Sequence, residues 1–508
     1  MNTFLTRHCP KLYQRRLFEL GWAFLVAFLI LGLAASGLSP FFKTDYSWNS
    51  IDTNFFMMTG RDVLAGKTPY LDFYDHKGVY VFYFNAFMVL LGGRSGVFIV
   101  ELLVLTYSFF MLAECLRILD LDLGPLLFVG GLLGVATMMA PNGDSIGALI
   151  SPFLLTPMAV LLQGLKTKNS KLFFTANLLN GLGFAIAFCT RIIDAIPCAA
   201  FVLIYIVYGI KKREDIKILW NALGFLAVFA LGVAPAFIAS SLGHFTSEML
   251  FASFVHNFVY DGRPLHVDEL LRRIVSGLVF FGIALTAFLK RKSLSEERFI
   301  FLFVGALTML VTYPVVVRYA QHLISALPFV LVVIALLFNA LLQFKHAKIT
   351  QRIVLSASIL GAIASLVNFT LVPRLDPVRK AYAEAGAVAS SYIVSRYGQG
   401  HFRDGGEPSI FALDCTSALY LDTGYLSNYP YQSFQCWWSL SEPDILQKTK
   451  DYVGSKDADI IVIYGTETYH YQPDPIDPGL LQIVQDNYVH VDAASTPGWI
   501  EVYALTLA

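Results

Sequence analysis

The sequence predicts a polytopic α-helical membrane protein with a small α/β domain outside the bilayer. Composition points there first: of 508 residues, 56% are hydrophobic and only 15% charged. The mean hydropathy is +0.59, well above that of soluble globular chains. Periodicity points there next. Apolar runs near 18–39, 97–119, 125–140, 146–163, 172–190, 195–210, 219–240, 274–289, 299–316, 323–343 and 353–373 approach the ~20 residues needed to cross a bilayer, which predicts about eleven spans. The tail supplies the third observation, because after residue 373 the runs stop and strand-like segments begin.

At the N-terminus, "RHCPKLYQRR" (7–16) precedes an apolar run without an obvious small-residue cleavage site. It reads as a retained signal anchor with a cytoplasmic N-terminus. Lysine plus arginine equals aspartate plus glutamate, 37 against 37, so no basic excess points to nucleic acid or another polyanion. The expected partner is membrane lipid. The six cysteines show no CxxC or Cys/His metal spacing. Cys415 and Cys436 share a polar region, where a disulfide is open to them if that region is extracytoplasmic.

The segment "VYVFYFNAFMVLL" (79–91) decides the topology. As a full span it would put the clusters Lys166/Lys168/Lys171, Lys211/Lys212/Arg213, Lys290/Arg291/Lys292 and Lys345/Lys348/Arg352 all outside. As an interfacial or re-entrant helix it returns every cluster to the cytoplasm, in keeping with the positive-inside rule. On that reading the first outer loop (40–96), "MAPNGDSIG" (139–147), the surroundings of Arg191, the loop 241–273, "VVVRYAQH" (315–322) and everything after about 374 share the non-cytoplasmic side. Two domains result: a transmembrane domain over 1–373 and an extracytoplasmic α/β domain over 374–508. In the latter, "DPVRKAYAEAGAVASSYIVSRYG" reads as an amphipathic helix, and "SIFALD", "ADIIVIYG" and "WIEVYALTL" as strands.

The ionisable residues concentrate on that outer side. "IDTNFFMMTGRDVLAG" (51–66) suits a helix lying at the membrane surface, with Asp52 at its start. Asp52 is either a helix cap or a carboxylate held at the boundary as a general base; Asp62 reads as a bystander. "YLDFYDHKG" (70–78) sets Tyr70, Asp72, Asp75, His76 and Lys77 ahead of the interfacial segment, where a solvated loop would look similar. Asp144 has an ordinary use as a turn residue, and Arg191 can simply pair with Asp194 across one helical turn. Arg318, Tyr319 and His322 stand at the mouth of a span, where ionisable groups usually face a cavity or ligand. The many outer aromatic residues, Tyr70 among them, form an interfacial belt from which some could stack on a sugar. Loop 241–273, with His244, His256, Tyr260, Asp261, Arg263 and His266, is long enough to close over a site as a lid; a packed structural loop fits as well.

These patches carry a resemblance. The order Asp52, an aromatic stretch, "GRDVLAGKTPYLDFYDHKG", an acidic residue in the second outer loop and "RYAQHLISALPFVL" is similar to bacterial GT-C glycosyltransferases. More narrowly, it resembles the relatives of protein O-mannosyltransferases and the lipid A aminoarabinose transferase. In place of the Glu that usually follows the first-loop Asp stands Thr53. Gly78 and Val79 replace the prolines of an Asp-His-Lys-Pro-Pro run. The resemblance implies a polyprenyl-phosphate-linked sugar as donor and Asp52 as the base that activates the acceptor, with inversion at the anomeric carbon. Lys77, Arg318, His322 and Arg191 would hold the donor phosphate, while Asp75, His76, Asp144 and Tyr70 would orient substrate. No cofactor is called for, and no ligand spacing argues for a metal. The expected acceptor is a surface glycan, lipid or protein at the outer face of the cytoplasmic membrane. A lipid-linked oligosaccharide polymerase or ligase would use similar residues. A transporter or flippase would instead carry charges at mid-membrane in broken helices.

Overall fold

A computed structural model describes residues 10–34, 51–119, 146–212, 215–256, 267–316, 377–403, 408–413, 415–434, 443–464 and 476–505, with isolated positions between 356 and 363. The predicted spans 125–140 and 323–343 lie outside them, as does 353–373 apart from those isolated positions, and so do Asp144, Arg318 and His322. The other predicted spans fall on helices: α1 (Pro10–Leu29, running into a π turn at Ile30–Ala34), α4 (Arg94–Ile118), α5 (Ile146–Thr167), α6 (Ser170–Phe188), α7 (Ile196–Lys212), α8 (Asp215–Leu242), α10 (Val267–Leu289) and α11 (Glu296–Val316). Among the described residues, Arg94–Ile118, Ile146–Thr167, Ser170–Phe188 and Lys217–Leu242 are long and apolar enough to cross a membrane.

Between α1 and α4 lie the two short helices of the first loop, α2 (Ile51–Leu64) and α3 (Tyr80–Leu90). The 11 residues of α3 rise only about 16 Å, against a hydrocarbon core of about 30 Å. It is too short to span, and Gly92 and Gly93, both at positive φ, turn the chain directly into α4. Helices α2 and α3 cross closely because Gly60 offers no side chain: a Cβ there would lie 2.8 Å from the Asn85 carbonyl carbon.

Beyond α8 come α9 (Thr246–Leu250) and a π turn at Phe251–His256. The C-terminal region opens with α12 (Pro377–Tyr397), which buries Tyr382, Ala385, Ala389 and Ile393 at helical spacing. It continues as β1 (Ile410–Leu413), α13 (Ala418–Thr423), β2 (Ser433–Phe434), α14 (Pro443–Gly454), β3 (Ile460–Tyr464), α15 (Pro478–Asn487), β4 (Val489–His490) and β5 (Ile500–Ala504). The strand order is β2-β1-β3-β5-β4. β1 runs parallel to β2 and β3, and β5 antiparallel to β3 and β4. The central strands β1 and β3 are buried throughout, as their unbroken apolar sequences require. Cys415 is buried near the Tyr382 hydroxyl at 3.8 Å, and Cys436 lies outside the described residues.

This sheet domain is fastened to the first loop. Asn54 Nδ2 donates to Thr416 Oγ1 at 3.2 Å, Lys67 Nζ donates to the Ser427 carbonyl, and Tyr74 N–H donates to the Pro430 carbonyl at 2.9 Å. The Arg61 guanidinium lies 4.4 Å over the Phe402 ring. Met58 of α2 joins the core that α12, β1, β3 and β5 build. Helix α2 is therefore held between α3 on one side and the C-terminal domain on the other.

Candidate active site

Asp52 sits in the first turn of α2, where a negative charge is favoured by the helix dipole. Among the described residues its side chain accepts no hydrogen bond, so the contact that would define a cap is missing, and the residue is exposed. Protein nevertheless surrounds it closely enough that burial raises its pKa above the ordinary carboxylate value. Lys77 and Arg191 oppose that rise and Asp75 reinforces it. Water reaching the exposed carboxylate tempers the shift. Those influences identify the neighbourhood: Asp52, Asp75, Lys77 and Arg191 share one electrostatic environment.

Asp75, His76 and Lys77 form a compact unit. Lys77 Nζ lies 2.7 Å from His76 Nε2 and 3.7 Å from Asp75 Oδ1; His76 Nδ1 lies 3.0 Å from the same oxygen. Burial and the neighbouring Lys77 charge push the pKa of His76 down to about 4. The imidazole is thus neutral at physiological pH, accepts from the ammonium through Nε2 and carries its proton on Nδ1, beside Asp75. Burial alone would raise Asp75, but Lys77 and His76 outweigh it and bring it down to about 2. Asp75 Oδ2 is buried without a hydrogen-bond partner among the described residues.

The backbone of this unit is clamped at Gly78 and Tyr80. Gly78 N–H donates to the Thr190 carbonyl at 2.7 Å and Tyr80 N–H to the Cys189 carbonyl at 2.9 Å. A side chain at Gly78 would run into the Cys189 carbonyl, and a proline there would also lose the N–H donor. The departure from the Pro-Pro pattern therefore has a local cause. Arg191 follows immediately, its Nε and Nη2 paired bidentately with Asp194 at 2.7 and 3.0 Å, with the Asp194 carboxylate fully buried. The one-turn pair that the spacing allows does form, and the clamp brings Arg191 into the field of Asp52.

Tyr70 differs from expectation. It adopts φ +66°, is buried against Phe82 and Phe245, and donates its hydroxyl to the Lys77 carbonyl at 2.7 Å. Burial holds its pKa well above the usual phenol value. Its hydroxyl thus ties the Lys77 backbone to the first loop, while the residue also lines the cleft toward the C-terminal domain. Asp62 is likewise no bystander, being buried 3.5 Å from Lys67 Nζ, which is itself buried.

Sequence spacing gives no sign of Ser253 as part of this site and offers His256 only as a lid residue. Ser253 Oγ lies 3.3 Å from the Tyr70 hydroxyl, and the His256 ring lies 5.6 Å from that of His76 and 6.1 Å from that of Tyr74. The described first part of loop 241–273 is thus packed onto the first loop; Tyr260, Asp261, Arg263 and His266 lie outside the described residues. Between the first loop and the C-terminal domain opens a cleft of about 600 Å³ whose walls include Tyr74, Glu248, Tyr431 and Lys448. Among the described residues no group of three His, Cys, Asp or Glu side chains could hold a metal ion.

No protein-family model matches the chain, and no curated protein matches it by sequence. Solved structures do. The crystal structure of ArnT from Cupriavidus metallidurans in the apo state superposes with a TM-score of 0.60 at 10% identity, covering 96% of this chain and 97% of that one. The fold is that of ArnT. A second ArnT structure, bound to undecaprenyl phosphate, superposes with a TM-score of 0.57 at 12% identity over 97% and 98% of the two chains. The likeness to ArnT extends over nearly the whole length of both chains.

Proposed function

We propose that the chain is a membrane glycosyltransferase that moves a sugar from a polyprenyl-phosphate donor to a surface glycan, lipid or protein, with inversion and with Asp52 as base. The observation that carries this reading is an exposed carboxylate, without a hydrogen-bond partner among the described residues, held in the field of Lys77 and Arg191. The solved ArnT structure bound to undecaprenyl phosphate, on the same fold, supports the donor class.

A phosphate-linked sugar is already activated, so the protein must take a proton from the acceptor hydroxyl and stabilise charge on the departing phosphate. Asp52, a carboxylate whose pKa burial raises above the ordinary value, suits the first task. Lys77 and Arg191 suit the second, but each brings a buried carboxylate, Asp75 and Asp194. Two cations then face three carboxylates when Asp52 is counted, leaving one negative charge where a phosphate must bind. The reading therefore needs further cations, and Arg318, with His322, is the proposed source. Asp75 and His76 orient Lys77, and Asp144 is retained as a candidate for orienting the sugar. The cleft between the first loop and the C-terminal domain, aromatic with charged edges, is the proposed approach for the acceptor. The extracytoplasmic side is inferred from the basic loops.

The test is transfer of radiolabelled sugar from a panel of undecaprenyl-phosphate sugars by purified protein. Asp52→Asn is the key variant and Asp492→Asn the control, because the Asp492 side chain is almost wholly exposed. Turnover by wild type and control with none by Asp52→Asn supports the assignment. Equal turnover by all three removes Asp52 as base, and transfer of oligosaccharide blocks in place of single sugars would move the protein to the polymerase or ligase class.

A further inference from the structure

At the basic ends of α5 to α8 lies a cavity that the transfer chemistry does not use. It measures about 640 Å³ and is walled by the turn between α5 and α6, the last turns of α7 and the first turns of α8. Lys168, Lys171 and Lys217 line it, and among the described residues none of its lining side chains is acidic. Phe173 and Tyr208 stack at 4.6 Å to form an apolar wall, with Tyr205 edge-on to Phe173 at 6.4 Å.

Two buried polar atoms in that wall point to an occupant. Tyr205 is 8% exposed, and its hydroxyl is fully buried with no hydrogen-bond partner among the described residues. Asn221 uses its amide on the Lys217 carbonyl at 2.9 Å, while its buried Oδ1 is left without a donor among the described residues. Buried polar atoms without partners are costly, and these two want complementary things: Tyr205 an acceptor, Asn221 a donor. From the same place Leu219, Leu223 and Leu226 stand exposed along α8, an apolar path out of the cavity.

We propose that this cavity binds the headgroup of an anionic phospholipid whose phosphate carries a hydroxylated substituent, as in phosphatidylglycerol. The three lysines and the Tyr205 hydroxyl take the phosphate, Asn221 Oδ1 takes the headgroup hydroxyl, and the acyl chains follow α8 into the bilayer. Basic pockets between spanning helices bind anionic headgroups on this principle. A soluble glycerol phosphate has the same polar chemistry and no chains.

Native mass spectrometry of the full-length protein in detergent tests this with phosphatidylglycerol, phosphatidylcholine and glycerol 3-phosphate as probes. Phosphatidylglycerol is expected to be retained roughly 100-fold more tightly than phosphatidylcholine, a difference the combined Lys168→Gln, Lys171→Gln and Lys217→Gln variant erases. Tyr205→Phe, which removes one oxygen and leaves the packing, is expected to weaken retention severalfold. Equal retention of the two lipids, or undiminished retention of phosphatidylglycerol by Tyr205→Phe and the lysine variant, overturns the proposal. Binding of glycerol 3-phosphate as tight as that of the lipid overturns its lipid source.

Discussion

The ammonium of Lys77 lies 2.7 Å from Nε2 of His76, its neighbour in sequence. The contact spends the imidazole on orienting a cation, with Asp75 holding the other side of the ring. Replacing His76 by Phe should remove the contact that orients the Lys77 ammonium. The expected result is a donor KM raised by roughly tenfold, the value of one hydrogen bond to a charged group, with a smaller change in kcat. Steady-state kinetics over donor concentration checks it.

Acid should silence the reaction through Asp52. A base works only when deprotonated, so the rate falls as pH drops through a pKa raised above the free value of about 3.9. Lys77 pulls that pKa down; without the ammonium it rises further. In Lys77→Met the acidic limb of the pH–rate profile should therefore move to higher pH. His76, at about 4, adds no inflection near the ordinary imidazole value of about 6.5.

Asp75 should govern acid stability. Its folded pKa, about 2, lies below the unfolded value of about 3.9. Its contribution is then fully present above about pH 4 and drains away as pH falls toward 2. The loss of Tm in Asp75→Asn relative to wild type should be clear at about pH 6 and should shrink at about pH 3, measured by thermal unfolding in detergent.

Substitution at Gly78 should separate packing from hydrogen bonding. Gly78→Ala drives a methyl into the Cys189 carbonyl and should cost about 1–3 kcal/mol. Gly78→Pro loses the bond to Thr190 as well and should be worse than alanine in the same unfolding assay.

Asp62→Asn should behave as a structural lesion. Removing one partner of a buried pair leaves the other's charge uncompensated, here Lys67, which keeps neutral partners such as the Ser427 carbonyl, at a cost of about 3–5 kcal/mol. Tm should fall even in preparations that show no change in donor KM, which is why Asp62 makes a poor bystander.

What the sequence made legible followed from short-range rules. Apolar run length located α4, α5, α6 and α8, basic loops argued α3 out of the list of spans, and unbroken apolar stretches marked β1 and β3. The candidate site was legible where one segment carried it, from Asp52 through Lys77. It was not legible where contacts join distant segments. Nothing around Ser253 or His256 announces a packing partner in the first loop, and nothing in "KTPYLDFYDHKG" shows that Tyr70 turns inward with φ +66°. Asp62 reads as a bystander in sequence; its burial beside Lys67 is visible only in the fold. Gly78 looks like an erosion of a proline motif until Cys189 and Thr190 stand beside it.

The ties between α2 and the sheet domain also set a timetable. Asn54 meets Thr416 across 362 positions, and Lys67 meets Ser427 across 360. During synthesis the first loop leaves the ribosome long before its partners exist, and domains form in the order they emerge. Asp52 therefore waits on a helix packed only on its α3 side until nearly the whole polypeptide has been made. A nascent or prematurely terminated chain holds the Asp52 carboxylate and Lys77 without the sheet domain's ties to the first loop, so that scaffold is completed among the last events of biogenesis.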